Sequence, residues 1–121
     1  MSKKDNVRDY VVSMFRFYSN CGKPDTKQIV KLKTQLSTAA ILDLMAVDNM
    51  LCQLERKGKH DIVQAINEIY FFNSKRDLKK NEISQRVQHY SSTHFIEERT
   101  VWRWLKSARK LCAEYRNLNI L

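Results

Sequence analysis

The sequence predicts an all-α fold: a small helical bundle that ends in a helix-turn-helix with an expanded turn. Three observations carry this. Only two glycines and one proline punctuate the 121 residues, too few turn formers for a many-stranded sheet. Apolar residues recur at steps of three and four over most of the chain. Hydrophobic residues make up 43% and charged residues 29%, the balance of a chain that buries one core rather than that of a disordered tail.

The elements are taken in chain order. Residues 5–19 form a first helix, with Val7, Val11, Phe15 and Tyr18 on one stripe widened by Tyr10 and Met14. Phe17, beside Phe15 and Tyr18, leaves two outcomes open: packing over the central helices, or self-association through an aromatic patch. Gly22 and Pro24 end this helix, and Asp25 or Thr26 can cap a second one. Ser37 and Thr38 offer a break before a central core helix carrying Ile41, Leu44, Asp48 and Leu51, flanked by Ala40, Val47 and Leu54 and closed by Gly58. Asp61 can cap the next helix, whose inward set is Ile62, Ile66, Ile69 and Tyr70, and "FFNSKRD" reads as a polar joint. A short helix over Asn81 to Val87 and a long one over Glu98 to Leu118 complete the pattern. Two regions result, a helical scaffold or dimerisation region over 1–72 and a helix-turn-helix DNA-binding region over 73–121.

The formal charge of +9 implies a polyanionic partner, nucleic acid ahead of an anionic membrane. Acid exceeds base only in residues 37–72, so the two ends are where an anion would be met. Three widely spaced cysteines, Cys21, Cys52 and Cys112, fit reduced thiols. Without a signal peptide or an apolar run long enough to span a bilayer, a cytoplasmic location is expected.

The segment "FIEERTVWRWLKSARK" joins two tryptophans to five basic residues. Val101, Trp104, Leu105 and Ala108 fall on one helical face, the support. Arg99, Thr100, Trp102, Arg103 and Lys106 project from the other, with groups suited to base edges and phosphates, and solvated helix surface is the open alternative for Arg99 and Arg103. Trp102 and Trp104 point about 160° apart on an ideal helix, so one partner cannot bury both. For Trp102, an exposed anchor, a DNA sugar contact and a dimer surface all remain open. Arg109 and Lys110 suit phosphates or simple solvation, and Lys79, Lys80 and Arg86 could reach the backbone from the preceding element. The free amides of the first turn would add to phosphate binding.

"EIS", Val87 and "IEERTVWRWLKSARKL" resemble phage late-gene transcription regulators of the ArpU type and, more broadly, the promoter-reading domain of bacterial sigma factors. The match falls on Glu82, Ile83, Ser84 and Val87, then on Ile96, Arg99, Thr100, Val101, Trp104, Ala108 and Arg109. By position the resemblance implies DNA contact by Arg99, Thr100, Arg103 and Lys106. Residues 40–72 resemble the family only in being helical and in ending "INEIYFF", and residues 1–36 have no counterpart. One departure stands out: "QHYSSTHF", residues 88–95, occupies the place of a tight turn, and Ser91, Ser92 and Thr93 could there add phosphate contacts.

The expectation is therefore a sequence-specific DNA-binding regulator of phage or prophage origin, acting on double-stranded DNA, with homodimerisation and contact with RNA polymerase as further options. A small DNA-recognition subunit of a phage packaging machine and a helical protein-interaction module are the alternatives. No cofactor, metal or catalytic activity is expected: His60, His89 and His94 lack a ligand set, and Asp43, Asp48, Asp61 and Glu68 read as solvated charges.

Overall fold

The computed structural model describes residues 6–71 and 81–118, which form six helices and, among the described residues, no strand. Helix α1 runs Asn6–Asn20, α2 Thr26–Lys31, α3 Thr38–Arg56, α4 His60–Ile69, α5 Glu82–His94 and α6 Glu98–Tyr115. Lys79 and Lys80 lie outside the described residues, as does most of the joint after Phe71.

The helix boundaries reflect local chemistry. At the end of α1, Gly22 takes φ 84°, a left-handed conformation that costs glycine nothing. A capping box opens α2: the Asp25 carboxylate accepts from the Gln28 amide at 2.9 Å, while the Gln28 side chain accepts from the Asp25 amide at 2.9 Å. Ser37 caps α3 by accepting from the Ala40 amide at 3.1 Å, at the break that the serine–threonine pair predicts. The start of α4 differs. Lys59 holds the capping position with no side-chain bond, and Asp61 sits inside the first turn, where its charge favours the helix dipole.

Two helices organise the bundle. Helix α3 packs against α1, α2, α4 and α6, and α6 packs against α1, α3, α4 and α5. One continuous core runs from Val11 on α1 to Ala113 on α6, so the scaffold and the carboxy-terminal region share it. Val11, Met14, Phe15 and Tyr18 bury the inner face of α1. Phe17 is half-buried against the same core, which leaves no aromatic patch of Phe15, Phe17 and Tyr18 on this helix.

Three side chains depart from their expected surroundings. Phe71, placed by sequence in a polar joint, is buried: its ring meets Tyr18 at 5.6 Å and Phe15 edge-on at 6.1 Å, and its carbonyl accepts from the Ser19 hydroxyl at 2.9 Å. Asp48 is not a solvated charge. It is 6% exposed on the inner side of α3 and accepts from the Thr26 hydroxyl at 2.6 Å, joining α2 to α3. Asp43 likewise has partners, accepting from Tyr10 Oη at 2.9 Å and from Arg116 Nε at 2.7 Å.

The largest correction concerns residues 88–95. The stretch "QHYSSTH" is helix, because α5 continues to His94 and buries Tyr90 one turn beyond Val87. Ring stacking of Tyr90 on His94 at 4.1 Å and a 3.3 Å contact from His94 Nε2 to Glu68 of α4 hold this last turn down. The turn is therefore not expanded: only Phe95, Ile96 and Glu97 separate α5 from α6.

Candidate nucleic-acid interface

The short α5–α6 connection is built around Ser91 and Phe95. Phe95 adopts φ 56° and ψ 44°, the left-handed conformation usually given to glycine at a helix end. The Ser91 carbonyl accepts from the amides of Phe95 and Ile96, and the Ser91 hydroxyl donates to the Ile96 carbonyl. Ser91 is thus half-buried and committed to the turn, not presented to a phosphate. Ser92 and Thr93 are exposed on the last turn of α5. Helix α6 starts after Glu97, a capping position without a side-chain bond.

Helix α6 has two distinct sides. Val101, Leu105, Ala108, Cys112 and Ala113 are buried, and Trp104 is half-buried against the same core. Arg99, Arg103, Lys106 and Lys110 are all exposed. At 3.6 residues per turn these four lie within an arc of about 60°, so they form one basic strip more than two turns long. Among the described residues none of the four forms an ion pair or a side-chain hydrogen bond. Thr100 is half-buried at one border of the strip, and Trp102, 38% exposed, stands at the other, one turn before Lys106.

Two of the basic candidates are engaged inside the protein. Arg109 is half-buried and donates from Nη1 to the Tyr70 hydroxyl at 2.8 Å, tying α6 to the end of α4. Burial pushes the Tyr70 phenol up from its ordinary range, and the Arg109 charge partly opposes this. Arg86 departs further from the sequence expectation of a backbone contact. Its Nη1 donates to the Ile69 carbonyl at 2.6 Å and its Nη2 to Glu82 at 2.6 Å, with only 13% of its side chain exposed. The guanidinium satisfies a carbonyl at the end of α4 and fixes α5 against it.

Arg8 on α1 joins the basic surface instead. A shallow cleft of about 150 Å³ between α1 and α6 is lined by Arg8, Lys106, Arg109 and Lys110 above a floor of Val7 and Ala113. About a hundred residues of sequence separate Arg8 from Lys106, so only the packing of α1 on α6 could reveal the pairing. At the other end of the strip Glu97 and Glu98 are exposed, and the Thr100 and Val101 amides already bond the Glu97 carbonyl at 3.0 and 3.2 Å. Two carboxylates thus precede Arg99 at the start of α6, and the rest of the cationic strip lies further along the helix.

No protein family, curated protein sequence or solved structure matches this chain. Among the described residues, no helix is long and apolar enough to cross a membrane.

Proposed function

We propose that the chain is a DNA-binding protein that lays the Arg99–Lys110 strip of α6 into the major groove. The observation that carries this reading is the strip itself: four exposed, uncommitted basic side chains on one face of a helix whose other face is locked into the core. A reading helix needs both properties, because base contacts specify only when the backbone that carries them is fixed. The mutual packing of α4, α5 and α6, with three residues between the last two, supports a helix-turn-helix in which α5 braces α6.

Arg99 and Arg103, one turn apart, are the candidates for bidentate contact with guanine, and Thr100 can reach a neighbouring base. Lys106 and Lys110 meet phosphate, with Arg8 and the outer part of Arg109 extending that contact along the cleft to α1. Trp102 borders the strip and packs on a deoxyribose. Glu97 and Glu98 keep phosphates away from the first turn and favour base edges there over backbone.

The resemblance of "EIS" and "ERTVWRWLKSAR" to phage late-gene regulators favours a transcriptional role at a promoter-proximal site over a role in packaging. Selection from a random duplex pool tests this directly: an enriched motif supports specific reading, and its symmetry reports whether two subunits bind together. Arg103→Ala should weaken the selected site by about 1–3 kcal/mol relative to random duplex, while Lys110→Ala weakens both alike. Absence of duplex binding at low salt would remove the proposal.

A further inference from the structure

A second surface lies on the other side of α3. Val30 and Leu36 from the α2 region, with Ile41, Leu42 and Met45 from α3, line an open groove of about 510 Å³, and Lys33 stands at its edge. Val30 is 48% exposed and Leu42 46%, so the groove is flanked by large aliphatic side chains facing solvent. Of the other helices α2 packs only against α3, which separates this groove from the α6 strip.

Lys33 is the charged residue in the lining of the groove and α2 adds Lys27 and Lys31, while the flanking carboxylates are engaged elsewhere, Asp25 in the α2 cap and Asp43 with Tyr10 and Arg116. From Thr26 to Leu42 the chain carries Lys27, Lys31 and Lys33 and no acidic residue. Lys27 lies one turn before Val30 on the same side of α2, and all three lysines are exposed. A second copy of this chain, at net +9, would meet this rim with like charge. The amino-terminal "MSKKD" and the joint "FNSKRDLKK" are basic as well.

We infer that the α2–α3 groove is a docking site for an acidic amphipathic segment of another protein. Its leucine-like side chains enter between Val30 and Leu42, and its carboxylates meet Lys27, Lys31 and Lys33. A groove admits a helix or an extended strand where a flat apolar patch would not, and the lysines select for acidic flanks. Nothing in this assignment depends on what α6 binds.

The test uses a fluorescein-labelled peptide of about fifteen residues, roughly four helical turns, with leucine at i, i+3, i+4 and i+7 and glutamate elsewhere. Fluorescence anisotropy should report saturable binding to the full chain. The double variant Val30→Asp/Leu42→Asp, at exposed positions and with an unchanged far-UV spectrum, should weaken it by about tenfold or more. Lys33→Glu should weaken the glutamate peptide while strengthening a lysine-substituted one. Arg103→Ala/Lys106→Ala should leave peptide affinity within about twofold, since it alters only the remote strip.

Several results would overturn the inference: no binding of the leucine–glutamate peptide; equal binding of a serine–glutamate peptide; or loss of binding in the α6 variant and not in the groove variant. A concentration-dependent dimer that Leu42→Asp dissociates would assign the groove to a second copy instead. Duplex binding measured on the same groove variant keeps the two surfaces distinguishable, since it should be unchanged.

Discussion

Arg116 donates to Asp43 at 2.7 Å across 73 residues of sequence, and the same carboxylate accepts the Tyr10 hydroxyl at 2.9 Å. One side chain on α3 thus ties the first helix to the end of the last. The side chains of the Arg116–Asp43 pair are 20% and 17% exposed, wet enough to avoid the full desolvation cost of burial and dry enough for the hydrogen bonds to count. Asp43→Ala should lower the unfolding free energy by about 1–2 kcal/mol in urea titration. A double-mutant cycle with Arg116→Ala should show coupling; simple additivity would mean that the contact contributes nothing to stability.

Phe95 is 95% exposed and held at φ 56°. A side chain in that conformation is strained, and this one recovers no burial in the isolated chain. Phe95→Gly should therefore raise the thermal midpoint, with a gain of up to about 1 kcal/mol, and Phe95→Val should lower it, because a branched side chain tolerates the left-handed region least. Thermal denaturation by circular dichroism orders the three proteins.

Arg86 and Lys106 should separate stability from binding. Arg86→Met leaves the Ile69 carbonyl and Glu82 without their shared donor and should cost about 1–3 kcal/mol of stability. Below its melting range it should keep the salt dependence of duplex binding. Lys106→Ala should change stability by less than about 0.5 kcal/mol and lower the slope of log affinity against log salt by about one. The reverse pattern would exchange the roles given to these two residues.

The thiols should differ in reactivity and couple the fold to alkaline pH. Burial pushes the Cys112 thiol up to about 12, and a residue with no exposed surface in the core cannot meet an alkylating reagent in the folded state. Cys52, exposed, and Cys21, partly exposed, should react first despite their own raised values. For Cys112 the folded state favours the neutral thiol, so its contribution to stability is complete below the ordinary thiol range. It declines as pH rises through about 9 toward 12, by roughly 1 kcal/mol per pH unit. Tyr18, raised chiefly by burial, acts in the same direction. Unfolding midpoints from pH 8 to 11 measure the slope; a flat profile would contradict the burial of both groups.

Much of the helical order is legible because it is written locally. Asp25 with Gln28, Ser37, Gly22 and Gly58 are short-range signals, and the structure uses each near a helix end. The central stripe is also legible, although Met50 is fully buried on α3 while Leu51 is only partly so. The end of α5 reads as a loop for two physical reasons. "SST" resembles a turn because hydroxyl side chains compete for backbone partners, and the left-handed position that marks the real turn is filled by phenylalanine instead of glycine. A contrary signal is present: Ile83, Val87, Tyr90 and His94 continue the steps of four, three and four.

The site itself is legible in part. The division of α6 into Val101, Leu105 and Ala108 inside and Arg99, Arg103 and Lys106 outside is periodicity alone, and the exposures agree with it. The bond from Thr26 to Asp48, the engagement of Arg86 at Ile69 and the approach of Arg8 to Lys106 are not legible, because each depends on packing between separate helices.

Helix α6 is gripped by four neighbouring helices, and its buried face is locked into the core. A partner of the Arg99–Lys110 face therefore meets an already ordered surface, and association carries little folding entropy on the protein side. If that partner is the proposed duplex, mutual adaptation has to come from the DNA: a duplex that fits the spacing of these side chains would bind as it is, and one that does not would have to bend. Selectivity on such a platform then depends on the stiffness of the ligand as well as on its chemical groups.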